Sequence, residues 1–539
     1  MRKSNWKVKV NGQGTPVNDI IDRFWVSRGV ENPNSFLKPV GNIYPSDMFE
    51  NIIRAGSTFH MMLNKKAKFL IHADVDADGC SSAAILYHYL TAHGCEADIY
   101  INKKKEHGIQ EDFFELDRGE DIVVVVDSIN DTMEMYERIW AQGKQLIILD
   151  HHIPKDAIKE NASSLNLVSS ALNYPNPHLS GSGVTWKFVS YIDKLCETNY
   201  ADYLVDLAAV GIIADVCSVG LDSLENREIC DRGFCQINNC GLRTLLGSDE
   251  MNADSIAYTI APLVNAANRM NENRLALDLF LCDNTIQAKK IIKELTKIKD
   301  QQKEKVTELF NTFEDLVEDQ KDNSCYYFFV DENVGTLGGL LATKASDKWK
   351  RPCIVLHDTP MGYAGSMRAT GVENFSAIVN SSGFGECAGH ENSAGIVIPK
   401  ESFQEFRIYI ENALKNLSFT AEIDIDIYLE RMQITPFLIG KIREINRISG
   451  LGFPPVTVLI ENIKKYNIKK LSQGKHLCVE VPDMKFLSWN FNKWNDICDD
   501  GILSAVGTID ESFFAGKHTN QMIMQDFIFQ STPHVNTLW

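Results

Sequence analysis

Carboxylate and imidazole side chains follow three apolar runs in the first part of the chain, each at the point where the run ends. The groups are Asp74, Asp76 and Asp78 after Phe69–Ala73, Asp127 after Val123–Val126, and Asp150, His151 and His152 after Leu146–Leu149. Carboxylates so close in sequence repel one another, and a bound cation relieves that repulsion. Aspartate and histidine together suit Mn²⁺, Mg²⁺ or Zn²⁺, and several carboxylates favour the harder ions. The pattern therefore predicts a centre for divalent cations.

Each acidic position also has a purely structural explanation. Aspartate is common in exposed loops and at helix N-termini, and Asp215, at the end of Ala209–Ala214, is as a single residue more typical of a cap. A calcium EF-hand is excluded, because the twelfth position counted from Asp74 is Ile85 instead of glutamate. Two adjacent histidines directly after an aspartate are harder to explain by structure alone, and they favour a role in metal binding.

The elements that must position these groups are predicted to form a parallel sheet. The runs at 69–73, 97–101, 122–127 and 146–150 are apolar and are separated by stretches long enough for helices. Such strands are typical of a parallel sheet that is covered on both faces. Ligands bind at the carboxyl ends of parallel strands, so we expect the three acidic groups to meet in one crevice.

Changes of pattern divide the chain into five segments. They are a helical segment at 1–60, a first α/β lobe at 61–284, a connecting helix at 285–320, a second α/β lobe at 321–418 and a β-rich segment at 419–539. The connecting segment has no proline or glycine, and its apolar residues recur at helical spacing. The short β runs near the C-terminus fit a small barrel. The predicted fold class is therefore α/β, with two lobes joined by a long helix and followed by a β-barrel.

Further motifs lie in order along nearly the whole chain. They are Phe36–Pro39, Asp74–Gly79, Asp150–His152, Leu179–Val184, Gly211–Val216, Glu225–Arg227, Ala261–Arg269, Gly365–Arg368, Gly389–Gly395 and Gly450–Pro455. In this order they resemble the RecJ single-stranded-DNA exonucleases of the DHH phosphoesterase superfamily. The resemblance implies that 61–284 is a DHH domain, 321–418 a DHH-associated substrate-binding domain, and 419–539 an OB-fold that binds nucleic acid.

The resemblance also implies a role for each matching residue. The metal ligands would be Asp76, Asp78, Asp127, His151 and Asp215, with Asp74 and Asp150 either as ligands or as groups that orient them. The catalytic residues would be Asp127, Asp150, His151 and His152, with His152 at the scissile phosphate or the leaving oxygen. The substrate-binding residues would be Ser366 and Arg368 at the terminal phosphate, together with His390 and Lys103. Two Mn²⁺ or Mg²⁺ ions would be the cofactors.

Two positions depart from the family pattern near the predicted centre. His72 precedes Asp76 by four residues, as in the pyrophosphatases and cyclic-dinucleotide phosphodiesterases of the superfamily, so His72 is either a further metal ligand or not a ligand at all. Lys103 stands where the family often has a phosphate-binding arginine, and a lysine offers a point charge instead of a planar fork. The departure at Lys103 bears on substrate preference and on dependence on a 5′-phosphate more than on metal chemistry.

The function that the resemblance implies is a metal-dependent 5′→3′ exonuclease. It would degrade single-stranded DNA to 5′-mononucleotides by two-metal hydrolysis, in DNA repair or recombination. The alternative within the superfamily is a phosphodiesterase that acts on short oligonucleotides or cyclic dinucleotides, although those relatives are usually shorter and lack the OB-fold. A catalytically silent scaffold subunit is a third hypothesis, but such relatives lose the metal carboxylates that are present here.

The charge balance argues at first against a nucleic-acid partner. Acidic residues number 72 and basic residues 54, which gives a formal net charge of −18. The lysines and arginines nevertheless form local clusters, at 103–105, 289–293, 344–351 and 464–470. The aromatic residues that could stack on bases are Phe486, Trp489, Phe491, Trp494, Phe513 and Phe514. We therefore still expect single-stranded DNA as the partner, together with a single-strand-binding protein or a helicase.

Cysteine usage and the N-terminus bear on the compartment. The 13 cysteines include no CxxC pair, and the charged N-terminus has no apolar region typical of a signal peptide. No apolar stretch approaches the roughly 18 residues that a membrane span needs. The sequence predicts a cytoplasmic protein, monomeric and without a membrane partner.

Overall fold

The computed structural model describes most of the chain. The described residues are 5–103, 106–115, 118–415, 417, 422–464, 466–489, 491, 494, 497, 501–514 and 517–530, with the side chains of 513, 514, 517 and 518 left out. Lys104, Lys105 and Lys465, and the side chains of Phe513 and Phe514, therefore lie outside the described part. Within that part, no helix has the length and apolar character to cross a membrane.

The first lobe is built on a five-stranded parallel sheet. The N-terminal segment precedes this lobe and contains β1 (Asn5–Asn11), α1 (Val17–Ser27), α2 (Pro33–Leu37) and α3 (Ile52–Asn64). The elements of the lobe are β2 (Phe69–Ala73), α4 (Ala77–Ala92), β3 (Ala97–Ile101), β4 (Ile122–Val126), α5 (Glu134–Ala141), β5 (Gln145–Asp150), α6 (Asp156–Glu160), β6 (Leu167–Ser169), α7 (Gly181–Cys196), α8 (Val205–Ala214), α9 (Leu224–Cys235), α10 (Cys240–Leu246), α11 (Ala253–Ser255), α12 (Ala261–Arg269) and α13 (Asn273–Leu281). The strand order is β3-β2-β4-β5-β6. Every residue of β2 and β4 is buried, because helices cover both faces. The predicted parallel sheet is confirmed.

A single helix leads from the first lobe to the second. Helix α14 (Thr285–Glu318) has 34 residues and lies where the connecting helix is predicted. It begins at Asn284, whose side chain accepts hydrogen bonds from the amides of Ile286 and Gln287. Its C-terminal half buries Phe310 and Phe313 against the second lobe, so the helix is anchored at both ends.

The second lobe is a five-stranded mixed sheet. Its elements are β7 (Tyr326–Phe329), α15 (Gly338–Trp349), β8 (Cys353–Thr359), β9 (Gly362–Arg368), α16 (Phe375–Asn380), β10 (Glu386–His390), β11 (Ser393–Ile398) and α17 (Phe403–Leu414). The order is β10-β11-β9-β8-β7, with only β7 and β8 parallel. Helices α16 and α17 cover one face, and α15 covers part of the other, so β10 and β11 keep one face open.

The C-terminal part is a sheet of eight strands that includes the N-terminal strand. Its elements are β12 (Glu422–Leu429), α18 (Pro436–Asn446), β13 (Val458–Ile463), β14 (Asn467–Leu471), β15 (His476–Val481), β16 (Met484–Ser488), β17 (Ile502–Phe514) and β18 (Lys517–Gln530). The order is β1-β12-β13-β17-β18-β16-β15-β14. Among the described residues no ladder joins β14 to β13, so the strands are consistent with an OB-like domain and the closed barrel stays a prediction.

Strand β1 differs from the prediction of a helical segment at 1–60. It pairs in parallel with β12, and Trp6 Nε1 donates to Asp526 Oδ2 at 2.8 Å. The rest of the segment is helical, in α1, α2 and α3. A seven-residue strand is stable only when a partner strand pairs with it, and here that partner lies more than 400 residues away in sequence.

Candidate metal centre

The first acidic group lies in the turn from β2 to α4. Asp76 is the N-cap of α4, and its Oδ1 accepts hydrogen bonds from the amides of Asp78 at 3.0 Å and Gly79 at 3.1 Å. Asp78 is 1% exposed, and its two oxygens accept from the amides of Gly181 at 2.7 Å and Ser182 at 3.0 Å. These amides belong to the first turn of α7, where the helix dipole stabilises a negative charge. Asp78 thus ties α7 to the acidic turn.

Asp127 follows β4 in a strained backbone conformation. Its φ is 52°, in the left-handed region that non-glycine residues seldom adopt, and its side chain is buried. Within the described part of the chain, Oδ1 accepts no hydrogen bond, although His151 Nε2 lies 3.2 Å from it. A buried carboxylate oxygen without a donor is costly unless a cation neutralises it. This oxygen is the clearest sign that the centre is shaped for a metal ion.

Asp150 is saturated by hydrogen bonds and orients its neighbours. Its Oδ2 accepts from the Ile129 amide at 2.8 Å, and its Oδ1 accepts from the amides of His151 and His152 at 2.7 Å each. The same Oδ1 lies 2.8 Å from His152 Nδ1. Because Nδ1 is held in this way, Nε2 is the nitrogen of His152 that is left for a substrate or a metal. In this structure Asp150 therefore fixes the orientation of the His152 ring.

Asp215 lies at the end of α8, on the other side of His151. Its Oδ2 is 3.6 Å from His151 Nε2 and accepts from the Cys217 thiol at 3.5 Å. Val216, which lies between Asp215 and Cys217 in the sequence, has a φ of 57°, which is rare for a β-branched residue. Backbone strain of this kind costs about 1–3 kcal/mol and is typical of functional sites.

The electrostatics of the cluster favour a bound cation. Burial and the neighbouring carboxylates raise the pKa of Asp76 and of Asp215 to about 7, and raise the pKa of Asp127 well above its usual value. Burial alone would raise the pKa of Asp150, but the hydrogen bond and charge of His152 outweigh burial and hold that pKa below its usual range. Burial lowers the pKa of His151, so its imidazole is neutral and can ligate.

Four groups of donors are compact enough to hold an ion, with donor atoms that all lie within 4.8 Å of one another. They are Asp74, Asp76 and Asp127; Asp127, His151 and His152; His151, Asp215 and Cys217; and His107, Asp150 and His152. Shared members join these groups into one cluster at the carboxyl edge of the parallel sheet. Carboxylate oxygens together with an imidazole such as that of His151 suit Mn²⁺ and Mg²⁺, and the residues present therefore fit such ions.

Two predicted ligands lie outside these groups. Asp78 gives its oxygens to α7, as described above. His72 is fully buried within β2, with Nε2 3.3 Å from Asn102 Oδ1 and its ring 5.9 Å from the centroid of Tyr100. Burial lowers the pKa of His72 to about 4. The structure thus places His72 among aromatic side chains and does not bring it into a donor group of the described residues.

The predicted phosphate-binding residues of the second lobe face the first lobe. Ser366 and Arg368 lie on β9, beneath the first turn of α15. Burial and the charge of Arg368 lower the pKa of Arg269, on α12. Neither guanidinium forms an ion pair with a carboxylate in the described part of the chain. Guanidinium groups without an acidic partner are suited to bind an anion.

The other two predicted substrate residues have different surroundings. His390 is exposed at the end of β10, and its carbonyl accepts from Ser376 Oγ at 2.8 Å. Lys103 is exposed too, but its ammonium lies 3.2 Å from Asp112 and 3.8 Å from Glu115. Its charge is therefore compensated locally.

Sequence reasoning missed two residues of the centre, His107 and Cys217, and it assigned no role to Arg269. His107 Nδ1 lies 3.5 Å from Asp74 Oδ2, and its ring centroid lies 4.5 Å from that of His152. Cys217 contacts Asp215, and burial together with the charge of Arg368 lowers the pKa of Arg269. Only Cys217 carries a local signal, because it stands two positions after a predicted ligand. His107 lies in a lysine-rich loop, and nothing in its spacing points to the centre.

Comparisons with known proteins agree with this architecture. A family model described as the DHH family, N-terminal domain, matches residues 68–212. The single-stranded-DNA-specific exonuclease RecJ of Bacillus subtilis is 26% identical over 502 residues, which cover 87% of this chain and 62% of that protein. This chain thus spans less than two thirds of that relative.

Solved structures extend the likeness to the whole fold. RecJ from Thermus thermophilus in complex with Mn²⁺ superposes with a TM-score of 0.78 at 21% identity, over 98% of this chain and 80% of that one. Its complex with Mg²⁺ gives a TM-score of 0.70 at 19% identity, over 98% and 79% of the two chains. The resemblance predicted from the motifs is confirmed.

Proposed function

We propose, from the DHH domain at 68–212 and the likeness to RecJ, that this chain is a metal-dependent exonuclease that degrades single-stranded DNA. It acts 5′→3′, releases 5′-mononucleotides by two-metal hydrolysis, and serves DNA repair or recombination. The observation that carries the proposal is the buried Asp127 Oδ1, which has no donor within the described residues and lies among further carboxylates at the carboxyl edge of the sheet.

The metal donors come from four loops of the first lobe. Asp74, Asp76, Asp127, His151 and Asp215 would hold two Mn²⁺ or Mg²⁺ ions. Such ions lower the pKa of an attacking water and stabilise charge on the phosphate oxygens. Asp78 keeps α7 against the acidic turn, and this contact fixes the position of Asp76.

The His152 side chain is oriented towards the substrate by Asp150. Its Nδ1 is bound to Asp150 Oδ1, so its Nε2 is left to donate to a phosphate oxygen or to the leaving 3′ oxygen. Asp150 also accepts two main-chain amides of the same turn, and the imidazole is therefore positioned before the substrate binds.

The second lobe would bind the end of the strand. Arg269, Ser366 and Arg368 would hold a terminal phosphate, because the guanidinium groups have no acid among the described residues to neutralise them. A phosphate held at a fixed distance from the metal donors would restrict cleavage to the terminal linkage. The 5′ polarity of this arrangement is supported by the likeness to RecJ.

The C-terminal sheet supports a long substrate over a cyclic dinucleotide. Trp489 is half exposed beside His476, and it is the aromatic residue best placed to stack on a base. Phe486 and Phe491 are buried and fill the core, whereas Trp494 donates to the Gly474 carbonyl beneath Lys470. A cytoplasmic location, a monomeric state, and a single-strand-binding protein or helicase as partner stay predictions.

The test follows single strands that are labelled at the 5′ or the 3′ end, with Mn²⁺, Mg²⁺ or EDTA. We expect metal-dependent release of the 5′ label as a mononucleotide from the start, while the 3′-labelled strand shortens progressively. Asp150→Ala should lose at least about 100-fold in rate, because it frees the His152 ring. The matched control is Asp156→Asn, an exposed position on α6.

Three results would contradict the proposal. They are the absence of metal-dependent release, an unchanged rate in a folded Asp150→Ala protein, and cleavage confined to dinucleotides or cyclic dinucleotides. Circular dichroism of each variant separates a loss of chemistry from a loss of fold.

A further inference from the structure

Cys217 places a thiol among the oxygen and nitrogen donors of the metal centre. Its Sγ lies 3.5 Å from Asp215 Oδ2, and the same oxygen lies 3.6 Å from His151 Nε2. All three donor atoms fall within 4.8 Å of one another. Cys217 is partly buried, and Val216 reverses the chain between Cys217 and Asp215 with its positive φ. The two side chains therefore point into the same space.

These separations match the edges of a zinc tetrahedron. Zinc bonds of about 2.3 Å to sulfur and about 2.0–2.2 Å to nitrogen or oxygen give edges of roughly 3.3–3.6 Å between ligand atoms. The Cys217–Asp215 and Asp215–His151 separations of 3.5 and 3.6 Å lie in or next to that range. Thiolate ligands select Zn²⁺ and related soft ions, whereas Mg²⁺ and Mn²⁺ prefer oxygen.

A second observation points to a cation at the same place. The buried Asp127 Oδ1 has no donor within the described residues and lies 3.2 Å from His151 Nε2. An ion bound to His151 would therefore lie next to an uncompensated carboxylate oxygen. This oxygen could complete a four-donor set with nitrogen, oxygen and sulfur.

We propose that His151, Asp215 and Cys217 form a binding site for a thiophilic divalent ion such as Zn²⁺ or Cd²⁺, and that this ion inhibits the enzyme. Binding exchanges the thiol proton, which goes to solvent, for a metal–sulfur bond, and no oxidant is needed. Inhibition follows because the soft ion occupies His151 and Asp215, which the activating ions also use. The Cys217 thiolate would also fill a coordination position that must stay open for catalysis. The claim that the ion inhibits (the inhibitory half) rests on the proposed nuclease function, whereas the claim that the ion binds (the binding half) does not.

The binding half is tested on the metal-free full chain by titration with Cd²⁺. Thiolate-to-cadmium charge transfer gives an ultraviolet band that only a bound sulfur produces. We expect this band at the first equivalent in the wild type and in the control Cys235→Ser, which removes an exposed thiol on α9. Cys217→Ser should lose the band and bind Zn²⁺ at least about tenfold more weakly, with Mn²⁺ affinity changed by less than about threefold.

Each outcome separates the binding half from the inhibitory half. An unchanged band and an unchanged Zn²⁺ affinity in both Cys217→Ser and Cys217→Ala would overturn the site. If the band is lost but Zn²⁺ inhibits the wild type and Cys217→Ser equally, the inhibitory half is wrong. If the wild type cuts no DNA at all, the proposed nuclease function fails, while the cadmium band still decides whether the thiol binds.

Discussion

At the scale of single residues, Asp127 lowers the stability of the metal-free protein and favours the binding of a metal ion. Asp127 combines burial, a left-handed backbone and an oxygen without a donor among the described residues, and each of these features costs free energy in the folded chain. Folding alone gives no reason to keep such a residue. A bound cation would turn the same three features into affinity, because the oxygen is already desolvated and fixed in place.

Asp127→Asn separates these two effects. In the absence of metal we expect the variant to unfold about 2–4 °C above the wild type, because a repelling buried carboxylate is replaced by a neutral amide. With saturating Mn²⁺ the wild type should gain stability by mass action and the variant should gain little. Differential scanning fluorimetry with Mn²⁺ and with EDTA measures both shifts.

Asp156→Asn is the matched control, since it removes an exposed carboxylate of the same lobe. It should leave the Mn²⁺-dependent shift as in the wild type. A full Mn²⁺-dependent shift in Asp127→Asn would mean that Asp127 is not a ligand.

The sequence pointed to the candidate residues that follow strands and to Asp215 after helix α8, but it missed His107 and Cys217. Asp127 and Asp150 end buried strands, and strand ends converge in a parallel sheet. His107 reaches the centre through the path of a loop, which no local pattern encodes. His72, whose spacing matches a motif, lies beside Tyr100 with a buried Nδ1 that has no partner among the described residues, and its role as a ligand stays a prediction.

At the scale of elements, the first turn of α15 lies over the residues of the proposed phosphate site. Gly338 and Gly339 pack over β9, and a Cβ at Gly339 would lie 3.2 Å from Arg368 Nη2 and 3.7 Å from Ser366 Oγ. Glycine costs about 1 kcal/mol relative to alanine in a helix, so its presence here indicates that space is needed. That space keeps the Arg368 guanidinium accessible to a phosphate.

Gly339→Val tests this role of α15. The added methyl groups should displace the Arg368 guanidinium, which lies at the end of a flexible side chain, and the fold should tolerate the change. We expect KM for a 5′-phosphorylated strand to rise by about tenfold with kcat little changed, because ground-state and transition-state binding are lost together. Steady-state kinetics on phosphorylated strands measures the two constants separately.

The matched control is Gly440→Val on α18, where no atom lies within 4 Å of a new Cβ. Its KM should equal that of the wild type. An unchanged KM in Gly339→Val would show that the phosphate site lies elsewhere.

Strand β1 shows where element prediction stops. Trp6, Val8 and Val10 alternate with Lys7 and Lys9, which is a strand pattern. The pattern is too short to decide the conformation without its partner, β12, which lies at the far end of the chain. The strands of the first lobe can be predicted without knowing which strands they pair with. They are apolar throughout, and stretches long enough for helices separate them.

At the scale of the whole molecule, the net charge of −18 is distributed unevenly. Several lysines of the predicted basic clusters are paired with acids, as Lys348 is with Glu314 and Lys469 with Glu480. In contrast, the exposed lysines at 289, 290 and 293 on α14 have no ion pair within the described residues. The first half of α14 is therefore the basic surface best suited to a DNA backbone.

One buried side chain joins the N-terminal segment, the first lobe and the C-terminal sheet. Arg227 is 1% exposed and donates to the carbonyls of Phe36 at 2.7 Å, Val219 at 3.1 Å and Ile448 at 2.9 Å. Its guanidinium also lies 3.7 Å from the ring centroid of Phe36. Burial lowers its pKa to about 10, so the side chain stays charged at neutral pH. The carbonyls take the place of a carboxylate partner, and they link three parts of the chain.

Arg227→Met keeps the stem of this side chain and removes its hydrogen bonds. Three buried carbonyl groups then lose a donor, and we expect a loss of about 3 kcal/mol or more in the free energy of unfolding. Arg227→Lys should recover only part of this loss, since one ammonium cannot match a planar fork. Chemical denaturation gives the loss, and Mn²⁺ binding to the folded variants should stay within about twofold, because Arg227 touches no metal donor among the described residues. The exposed Arg243→Met serves as control and should change neither quantity. If Arg227→Met is as stable as this control, then the three parts are held together by their apolar contacts alone.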